Sequence, residues 1–541
     1  MIPIFLLILS LLEPAYAGNP IAPPRPKLVV VLVIDQFRAD YLSRFASRFG
    51  KDGFRRLVEN GAYYPLAEYE TLQCVTGSGH ATLVTGSHPY QNGIPLNNWF
   101  NQKTQSREYC TEDEAVEAVG GNLKKDHAGT SPKLLQGTTL SDEFKNAGYP
   151  SRVVSIALKD RSAILMGGHR ADSVLWYDPN TFSWMTSKRY APDGKLPDWV
   201  AEMNSEIEKE KGQKFAWTAA GKGSGLSDDA NSPDAKYLWG MEPRFPHLFT
   251  KGERRSLYSP YGIEITRRLA ERAIEKLKLG QEKRTDFLFV SISTHDFMSH
   301  GFGPNSREME ELTVAEDQEI GKLLKTIEKK VGLGNVLVAL TADHGGGHAP
   351  EYLAKNGISS GRIDESKLRG ELNAQLTKRF GAPPKDQLWV PFSEDFAFYL
   401  NHAALDAKGE TARTEAEELV RRALLAQDGA ASVVTATDAL LKRVPAGELG
   451  RKFLLTYYPG RSADVFLIPK SGWAGTGDYA THLSGYSYDR TVPLILTGRG
   501  FKPGRYAQSA KIVDLAPTLS FLLGTVPPAL SEGRVLSEAL R

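Results

Sequence analysis

The chain has 541 residues, enough for one large α/β domain with insertions or for about two to three smaller domains. Apolar residues make up 41% of it and charged residues 24%, which is ordinary for a globular protein. The formal net charge of +2 gives no reason to expect a nucleic acid or an anionic membrane surface as a partner. Function therefore has to be inferred from motifs rather than from composition.

The N-terminus predicts export. Residues 4–12 (IFLLILSLL) form a short apolar run, and the A-x-A pattern of a cleavage site follows at residues 15–17. No Lys or Arg precedes the run, which departs from the usual signal, and the run is shorter than the roughly 20 residues that cross a bilayer. We expect residues 1–17 to be a secretory signal, residues 18–27 to be a Pro-rich linker, and the protein to be periplasmic or secreted without a membrane span.

Strands and helices alternate after the linker. An unbroken apolar run at Leu28–Ile34 predicts a strand buried on both faces, and further strands are predicted at 152–158, 287–292, 336–340 and 492–496. Helices are predicted at 261–278, 307–331 and 511–523, and a turn followed by a helix at 71–86. The alternation predicts an α/β fold with a mostly parallel central sheet and helices on both faces, in one domain over residues 28–541.

Two long segments lose this periodicity, and we expect them to be irregular insertions at about 173–258 and 346–481. The second contains an amphipathic helix near 411–425. The first carries five tryptophans: Trp176, Trp184, Trp199, Trp217 and Trp239. Aromatic side chains among charges can form a platform for a carbohydrate or a nucleic acid, but packing of the insertion is the commoner use of tryptophan.

The stretch TLQCVTGSGHATLVTG, residues 71–86, places the hydroxyl of Thr76 at the start of a predicted helix. The first N–H groups of a helix have no partner inside it, and they favour an oxyanion such as phosphate. A threonine hydroxyl attacks phosphorus near neutral pH only when a base or a metal ion helps to remove its proton. Thr76 is therefore a candidate nucleophile, although on this segment alone a helix cap is the commoner role for such a residue.

The chain has two cysteines, Cys74 and Cys110, which would meet an oxidising compartment after export. Two interpretations carry equal weight at this point. One is a disulfide that fixes the loop before Thr76, and the other is a pair of separate buried thiols.

Acidic and histidine residues lie at the ends of the predicted strands: Asp35, Asp296, His300, Asp343, His344 and, before the last strand, His482. The carboxyl ends of parallel strands meet at one edge of an open α/β sheet, so we expect these side chains to gather there, with 295–304 as a catalytic loop. Carboxylate oxygens combined with imidazole nitrogens suit zinc or a similar ion. Six ligands and a hydroxyl are too many for one tetrahedral zinc, and a pair of metal ions, as in other phosphoryl-transfer sites, fits the number better.

These residues, in this order and with this strand alternation, resemble the alkaline phosphatase superfamily, which includes the type I phosphodiesterases. The motifs IDQFRADY, CVTGSGHATLVTGSHP, GIPLNNWF, ALKDRSA, THDFMSHGFGP and TADHGG are similar to those of bacterial alkaline phosphatases of the PafA type, which use a threonine nucleophile. The resemblance covers nearly the whole chain after the signal. It implies a secreted alkaline phosphatase of broad range that acts on small phosphorylated substrates; a monomer is one option for its oligomeric state.

The resemblance also implies two Zn²⁺ ions per chain. Asp296, His300 and His482 would bind one ion, and Asp35, Asp343, His344 and the Thr76 oxygen would bind the other. Thr76 would attack the substrate and form a phosphothreonine intermediate.

Three further residues would bind the phosphoryl oxygens: Asn97, Lys159 and Arg161. Lys159 and Arg161 would point the same way if the strand before them continued through both. They would hold phosphoryl oxygens that are free in a monoester and not all free in a diester, and arginine is suited to bidentate binding. By itself, a Lys-Asp-Arg turn is more often an ordinary surface ion pair.

Two other functions remain open. A phosphodiesterase or nucleotide pyrophosphatase of the same superfamily is the first alternative, although such enzymes generally lack the Lys and Arg pair. A non-catalytic, metal-containing binding protein is the second, although it would have no use for a hydroxyl beside a metal ion. A sulfatase is not indicated, because no Cys or Ser is followed by the x-P-x-R sequence that sulfatases need. Thr76 also stands where many superfamily members carry serine, and its extra methyl restricts rotamers without removing the chemistry.

Overall fold

The computed structural model of the protein describes residues 25–121, 130–221 and 237–541. The predicted signal peptide, residues 1–17, and most of the predicted linker lie outside the described residues. Within the described part of the chain, no helix is both long enough and apolar enough to cross a bilayer.

The strands, in chain order, are β1 (Leu28–Ile34), β2 (Gly61–Glu68), β3 (Asn98–Asn101), β4 (Ser106–Tyr109), β5 (Ala118–Val119), β6 (Val153–Ala157), β7 (Ser173–Asp178), β8 (Ser183–Ser187), β9 (Lys214–Trp217), β10 (His247–Thr250), β11 (Asp286–Ile292), β12 (Val336–Thr341), β13 (Gly361–Ile363), β14 (Phe392–Glu394), β15 (Ala397–Tyr399), β16 (Ala430–Thr435), β17 (Val465–Pro469), β18 (Trp473–Gly475), β19 (Thr491–Gly498) and β20 (Gly504–Arg505).

The α-helices are α1 (Tyr41–Arg44), α2 (Phe54–Asn60), α3 (Thr76–Thr85), α4 (Pro89–Asn92), α5 (Leu140–Asn146), α6 (Asp160–Gly167), α7 (Asp198–Glu210), α8 (Pro260–Lys276), α9 (Thr294–Phe302), α10 (Arg307–Lys330), α11 (Pro350–Lys355), α12 (Glu365–Phe380), α13 (His402–Asp406), α14 (Ala412–Leu425), α15 (Ala436–Leu440), α16 (Glu448–Thr456), α17 (Ser487–Arg490) and α18 (Leu515–Leu523).

A sheet of ten strands, in the order β20-β2-β19-β12-β1-β11-β6-β7-β8-β5, forms the centre of the molecule. Its middle is parallel: β1 pairs with both β11 and β12, and β6 pairs with β11 and β7. Every residue of β1 is at most 1% exposed, as expected for a β-branched and apolar strand covered on both faces. The predicted α/β fold and the parallel centre are therefore correct.

Most pairings toward the flanks of the sheet are antiparallel, although β20 runs parallel to β2 at one edge, so the sheet as a whole is mixed. β19 runs antiparallel to β12 and to β2, and β8 runs antiparallel to β7 and β5. Because β19 is reversed, its first residue lies at the edge where β1, β11 and β12 end. This direction brings the segment before β19, which contains His482, to the same edge as the aspartates that follow the parallel strands.

Strand β2 is not predicted by the sequence pattern, and a proline explains why. Pro65 interrupts the strand pattern, since proline cannot donate a ladder hydrogen bond. The strand accommodates it at an irregularity, where the register with β19 shifts between Val492 and Leu494. β2 leads directly into the segment that carries Thr76.

Helices cover the sheet in two groups. Helices α8, α9 and α10 pack on one another, and α2 contacts α10. Helix α3 packs against α6 and α18, and α18 also contacts α5. The segment 295–304, which we expected to be a loop, is mostly helix α9. Its glycines at 301 and 303 lie at the end of the helix, where glycine is common, so they did not mark a loop throughout.

Both predicted insertions contain more regular structure than expected. The first part of the segment 173–258 forms β7 and β8, which belong to the central sheet. The segment 346–481 contains a second sheet of four strands, in the order β14-β15-β17-β16, which packs with α12 and α14 around its own hydrophobic core. Short strands in this region gave too little periodicity to be recognised in the sequence.

Candidate active site

Three buried ligand candidates meet where β1 and β12 end. Asp35 follows β1, and Asp343 and His344 follow β12 two residues later; all three are 0% exposed. The His344 Nε2 atom lies 3.6 Å from Asp35 Oδ1 and 3.6 Å from Asp343 Oδ2. These three atoms form one of two groups within the described residues that could hold a metal ion.

The same three atoms have no hydrogen-bond partner. Asp35 Oδ1, Asp343 Oδ2 and His344 Nε2 are all buried and make no hydrogen bond within the described residues, although His80 Nδ1 lies 3.2 Å from Asp343 Oδ2. A buried polar atom without a partner costs roughly 1–3 kcal/mol, and more when it is charged, so three that face one another are unusual. Two carboxylate oxygens and one imidazole nitrogen are a donor set that suits zinc or a similar divalent ion. The residues therefore fit a metal ion at this point.

A second group of candidate metal ligands lies on helix α9 and on the segment before β19. Asp296 and His300 are four residues apart on α9, so they share one face of the helix, and His300 Nε2 lies 3.2 Å from Asp296 Oδ1. His482 Nε2 lies 3.6 Å from the same oxygen. Asp296, His344 and His482 form the second potential metal group, in which His344 is shared with the first.

All three histidines turn the same nitrogen toward these groups. The Nδ1 atoms of His300, His344 and His482 lie 3.1, 2.9 and 2.5 Å from backbone carbonyl oxygens of Ala480, Gly345 and Cys74. Since a carbonyl oxygen can only accept, Nδ1 carries a proton in each ring, and Nε2 is the nitrogen that can bind a metal ion. This arrangement is typical of histidines that bind a metal through Nε2.

Thr76 is the first residue of α3 and is 1% exposed. Val75 occupies the cap position, and no side chain caps this helix, so the capping role considered for Thr76 is wrong. The Thr76 hydroxyl instead faces two cations: Lys159 Nζ and Arg161 Nη2 each lie 3.3 Å from Thr76 Oγ1. The position at a helix start directs the oxygen into the site rather than back onto the backbone.

Lys159 and Arg161 reach Thr76 from the start of a helix, which the sequence pattern does not predict. The strand β6 ends at Ala157, Lys159 is the N-cap residue of α6, and Arg161 lies in the first turn of that helix. The strand therefore does not continue through both residues, which was the condition for their pointing the same way along it. Between them, Asp160 accepts a hydrogen bond from the Tyr109 hydroxyl at 2.6 Å, and the same hydroxyl lies 3.3 Å from Arg161 Nη1. These contacts orient the guanidinium.

Asn97 lies in the loop before β3 and contacts the same helix start. Its Oδ1 accepts a hydrogen bond of 2.8 Å from the backbone N–H of Gly77, the residue after Thr76. With the oxygen engaged in this way, the Nδ2 group is the end of the amide that can donate to a ligand. All the predicted site residues thus lie around one point at the edge of the sheet.

Buried carboxylates and cations share the site and shift one another's pKa values. Burial, together with repulsion from Asp296 and Asp343, raises the pKa of Asp35 well above its ordinary value. Burial opposes the charge of Lys159 as well, but Asp296 and Asp35 outweigh it and raise the pKa of the ammonium group. Its Nζ donates to Asp35 Oδ2 at 2.7 Å and to Asp296 Oδ2 at 2.6 Å. Burial lowers the pKa of His344 to about 3, so its ring is neutral near pH 7.

Two supporting residues were missed by the sequence interpretation. Gln36, next to Asp35, donates its backbone N–H to Asp343 Oδ1 at 3.1 Å, and its amide nitrogen, turned toward Asp296, lies 3.3 Å from Asp296 Oδ1. It adopts a left-handed φ of +64°, which is rare outside glycine. Asp478 Oδ2 lies 3.3 Å from His300 Nδ1. The motif IDQFRADY contained a signal for Gln36, whereas nothing marked Asp478.

The two cysteines are free and buried, so the structure favours two separate thiols over a disulfide. Cys74 Sγ lies 3.4 Å from Thr71 Oγ1, and burial raises the pKa of the Cys74 thiol to about 12. A β-carbon placed on Gly77 would lie 3.2 Å from Cys110 Sγ. Both thiols therefore pack beside the loop of Thr76 as small apolar groups.

Comparison with known proteins identifies the family. The family model for type I phosphodiesterase / nucleotide pyrophosphatase matches residues 29–490. The chain is 34% identical to alkaline phosphatase PhoV of Synechococcus elongatus, over 96% of this chain and 93% of PhoV. It is 32% identical to alkaline phosphatase PafA of Elizabethkingia meningoseptica, over 96% of this chain and 95% of PafA.

The crystal structure of wild-type PafA superposes with a TM-score of 0.85 and 29% identity, covering 96% of this chain and all of that one. A second PafA structure is of a variant changed at a threonine, an asparagine, a lysine and an arginine, which are spaced along that chain as Thr76, Asn97, Lys159 and Arg161 are here. The chain therefore belongs to the type I phosphodiesterase / nucleotide pyrophosphatase family, and within it to the alkaline phosphatases of the PafA type.

Proposed function

We propose that the protein is an exported alkaline phosphatase that hydrolyses phosphate monoesters of broad range at a site for two Zn²⁺ ions, through a phosphothreonine at Thr76. The observation that carries this proposal is the pair of cations at the nucleophile. Lys159 and Arg161 each approach Thr76 Oγ1 to 3.3 Å. A monoester dianion has one more negative charge than a diester, and two cations at the point of attack favour it.

The proposed metal ligands combine the two groups described above with His300 and the Thr76 oxygen. Asp35, Asp343, His344 and the Thr76 oxygen would hold one ion, and Asp296, His300 and His482 would hold the other. His344 lies close enough to both groups to serve either, and its contacts with Asp35 and Asp343 support the first assignment. Bound there, a pair of divalent ions supplies Lewis-acid chemistry, which acidifies a hydroxyl and offsets charge on phosphoryl oxygens.

The side chains of the protein then have separate tasks. Lys159 and Arg161 bind two phosphoryl oxygens, and the Asn97 amide donates to a third, which holds the phosphorus in front of Thr76. Thr76 Oγ1 forms a bond to phosphorus as the bond to the leaving oxygen breaks. Water then attacks the phosphothreonine, inorganic phosphate leaves, and the Thr76 hydroxyl is restored. Lys159 and Arg161 hold the phosphoryl group in the same way during both attacks.

The first experiment compares turnover of matched aryl phosphate monoesters and diesters, with and without a chelator. We expect kcat/KM for the monoester to exceed that for the diester by at least about 100-fold, because each lost cation contact in an active site costs about that much. Chelation should abolish both activities, and added zinc should restore them. Faster turnover of the diester would instead support the phosphodiesterase alternative.

A binding protein without catalysis is the remaining alternative. It predicts tight binding of inorganic phosphate by the zinc-loaded protein and no release of product from either ester. Phosphate release by the unmodified protein, lost in Thr76→Ala, would exclude it.

A further inference from the structure

The first insertion brings one tryptophan to the surface near the active site. Of its five tryptophans, Trp176, Trp184, Trp199 and Trp217 are at most 8% exposed, as expected for residues that pack the insertion. Trp239 is 39% exposed and adopts a left-handed φ of +48°, which is rare for a bulky residue. Packing of the insertion thus explains four of the five tryptophans, and the exposure of Trp239 needs a different explanation.

Trp239 is the outer end of a row of three aromatic rings. The ring centroids of Trp239 and Tyr258 are 5.4 Å apart, and those of Tyr258 and Phe297 are 5.2 Å apart. Tyr258 and Phe297 are partly buried. We call these three residues the aromatic row. Its inner end is at the active site, because Lys159 Nζ lies 5.3 Å from the centre of the Phe297 ring.

Helix α9 places the aromatic row beside the candidate metal ligands. Asp296 and His300 occupy one face of α9, and Phe297 and Gly301, each one residue further on, occupy the neighbouring face. Gly301 allows Trp239 to approach, since a β-carbon at this position would lie 3.0 Å from the Trp239 ring. Because the centre of the Phe297 ring lies 5.3 Å from Lys159 Nζ, the leaving group on a phosphoryl group bound at Lys159 can reach Phe297 and extend outward toward Trp239.

From this arrangement we infer that the aromatic row binds the leaving group of the substrate and gives the enzyme a preference for monoesters whose leaving group carries an aromatic ring. This inference rests on the proposed function of the site. Flat rings stack on aromatic side chains more favourably than saturated rings of the same size, because the faces and edges of aromatic rings have complementary charge. Broad phosphatase activity and a graded preference for aromatic substrates are compatible, since the row touches only one side of the leaving group.

The test uses two esters that differ in the aromatic character of one ring. Benzyl phosphate and cyclohexylmethyl phosphate are both esters of primary alcohols and are of similar size, so their chemical reactivity is matched. In Trp239→Leu and Phe297→Leu we expect kcat/KM for benzyl phosphate to fall by about 3- to 10-fold, with less than about a 2-fold change for cyclohexylmethyl phosphate. Phe521→Leu is the matched control, because Phe521 is 61% exposed on α18 and lies outside the aromatic row.

Equal losses for the two esters, no loss for either, or the same selective loss in Phe521→Leu would overturn the inference. Phe297 is partly buried, and Phe297→Leu could fail to fold for that reason alone. In that case the result for Trp239→Leu decides the inference.

A binding measurement separates this inference from the proposed function. Benzylphosphonate and cyclohexylmethylphosphonate cannot be hydrolysed, and calorimetry with the zinc-loaded protein gives their affinities. If the unmodified protein releases phosphate from neither ester, the proposed function has failed, and the phosphonates still decide the inference. Tighter binding of benzylphosphonate that is lost in Trp239→Leu supports the aromatic row, and equal binding of the two phosphonates contradicts it.

Discussion

Two buried aspartates on neighbouring strands serve opposite purposes. Asp286 begins β11 and Asp35 follows the end of β1, and both are 0% exposed. Asp286 is fully paired: it accepts from the N–H of Arg152 at 2.8 Å, from Arg284 Nε at 2.7 Å and from the N–H of Gly280 at 2.9 Å. Asp35 accepts from Lys159 alone, and its other oxygen has no donor.

The difference shows that burial of a carboxylate does not by itself indicate function. At the edge where β11 starts, every oxygen of the buried acid has a protein donor, and the acid ties strand ends together. At the edge where β1 ends, three buried aspartates, Asp35, Asp296 and Asp343, crowd around one lysine. Unmatched acceptors at a crowded edge are what a cation site requires, and the predictions below test this contrast.

The largest expected effect is at the nucleophile. Thr76→Ala should lower kcat for an aryl phosphate monoester by at least about 10,000-fold, as removal of a nucleophile does in other enzymes. Thr76→Ser should retain activity within about 10-fold, because it keeps the hydroxyl. Steady-state kinetics measures both, and thermal unfolding checks that each variant is folded. Comparable activity in Thr76→Ala would mean that another group attacks phosphorus.

The next largest effect distinguishes the role of Lys159 and Arg161 from that of the metal ligands. In the double variant Lys159→Ala and Arg161→Ala, kcat/KM for a phosphate monoester should fall by about 1,000-fold, and that for the matched diester by less than about 10-fold. The reason is that the monoester dianion offers one more charged oxygen than the diester does. A matched control is Lys145→Ala, which removes a surface ion pair with Asp172 far from Thr76 in the chain. Equal losses for both substrates would show that the pair does not recognise the monoester.

The aspartate comparison can be tested directly in chelated protein. Asp286→Asn should lower the free energy of unfolding by about 1–3 kcal/mol, because the Arg284 guanidinium and two backbone N–H groups lose their charged acceptor. Asp35→Asn should change it by less than about 1 kcal/mol, because it relieves repulsion from Asp296 and Asp343. Chemical denaturation measures both. If Asp35→Asn were the more destabilising change, the interpretation of this edge as a cation site would be wrong.

The smallest effect concerns a buried histidine that has partners. His88 lies beyond the far end of α3, with Nδ1 2.6 Å from Glu532 Oε1 and Nε2 3.6 Å from Glu70 Oε2. Burial opposes its charge, but Glu532 and Glu70 outweigh burial and raise its pKa. A raised pKa in the folded state adds stability below the ordinary value of 6.5, and that stability is lost as pH rises through the folded-state pKa.

Wild type should therefore exceed His88→Gln in stability by more at about pH 6 than at about pH 9. Denaturant midpoints at the two pH values measure this. A gap that stays constant or widens with pH would contradict the assigned ion pairs.

The centre of the fold and the location of the site could be predicted because their signals are local. The run at Leu28–Ile34 is apolar throughout, so its strand and the position of Asp35 at its end could be read directly. The same holds for Asp343 and His344 after β12. His482 precedes β19, the last of the predicted strands, as expected. It lies at the same sheet edge as Asp35 and Asp343 only because β19 runs antiparallel to β12, and no local sequence pattern encodes that direction.

Other features depend on contacts between distant segments. Pro65 disrupts the strand pattern in the sequence, so β2 is not recognised from it. The strand forms because its pairing with β19 outweighs the loss of the backbone N–H donor at Pro65. The pattern around Asp296 and His300 predicts a loop, whereas the structure has a helix, in which a spacing of four residues places both on one face. Asp478 reaches His300 from an insertion whose short strands carry little periodicity, and only the tertiary structure brings them together.

The most direct test of the account is detection of phosphate on Thr76. The zinc-loaded enzyme is mixed with an aryl phosphate monoester and quenched in acid, and its peptides are analysed by mass spectrometry. A phosphothreonine intermediate at Thr76 predicts one phosphoryl group on the peptide that contains Thr76, and none in Thr76→Ala. Turnover without a phosphorylated peptide, or with the phosphoryl group on another residue, would contradict it.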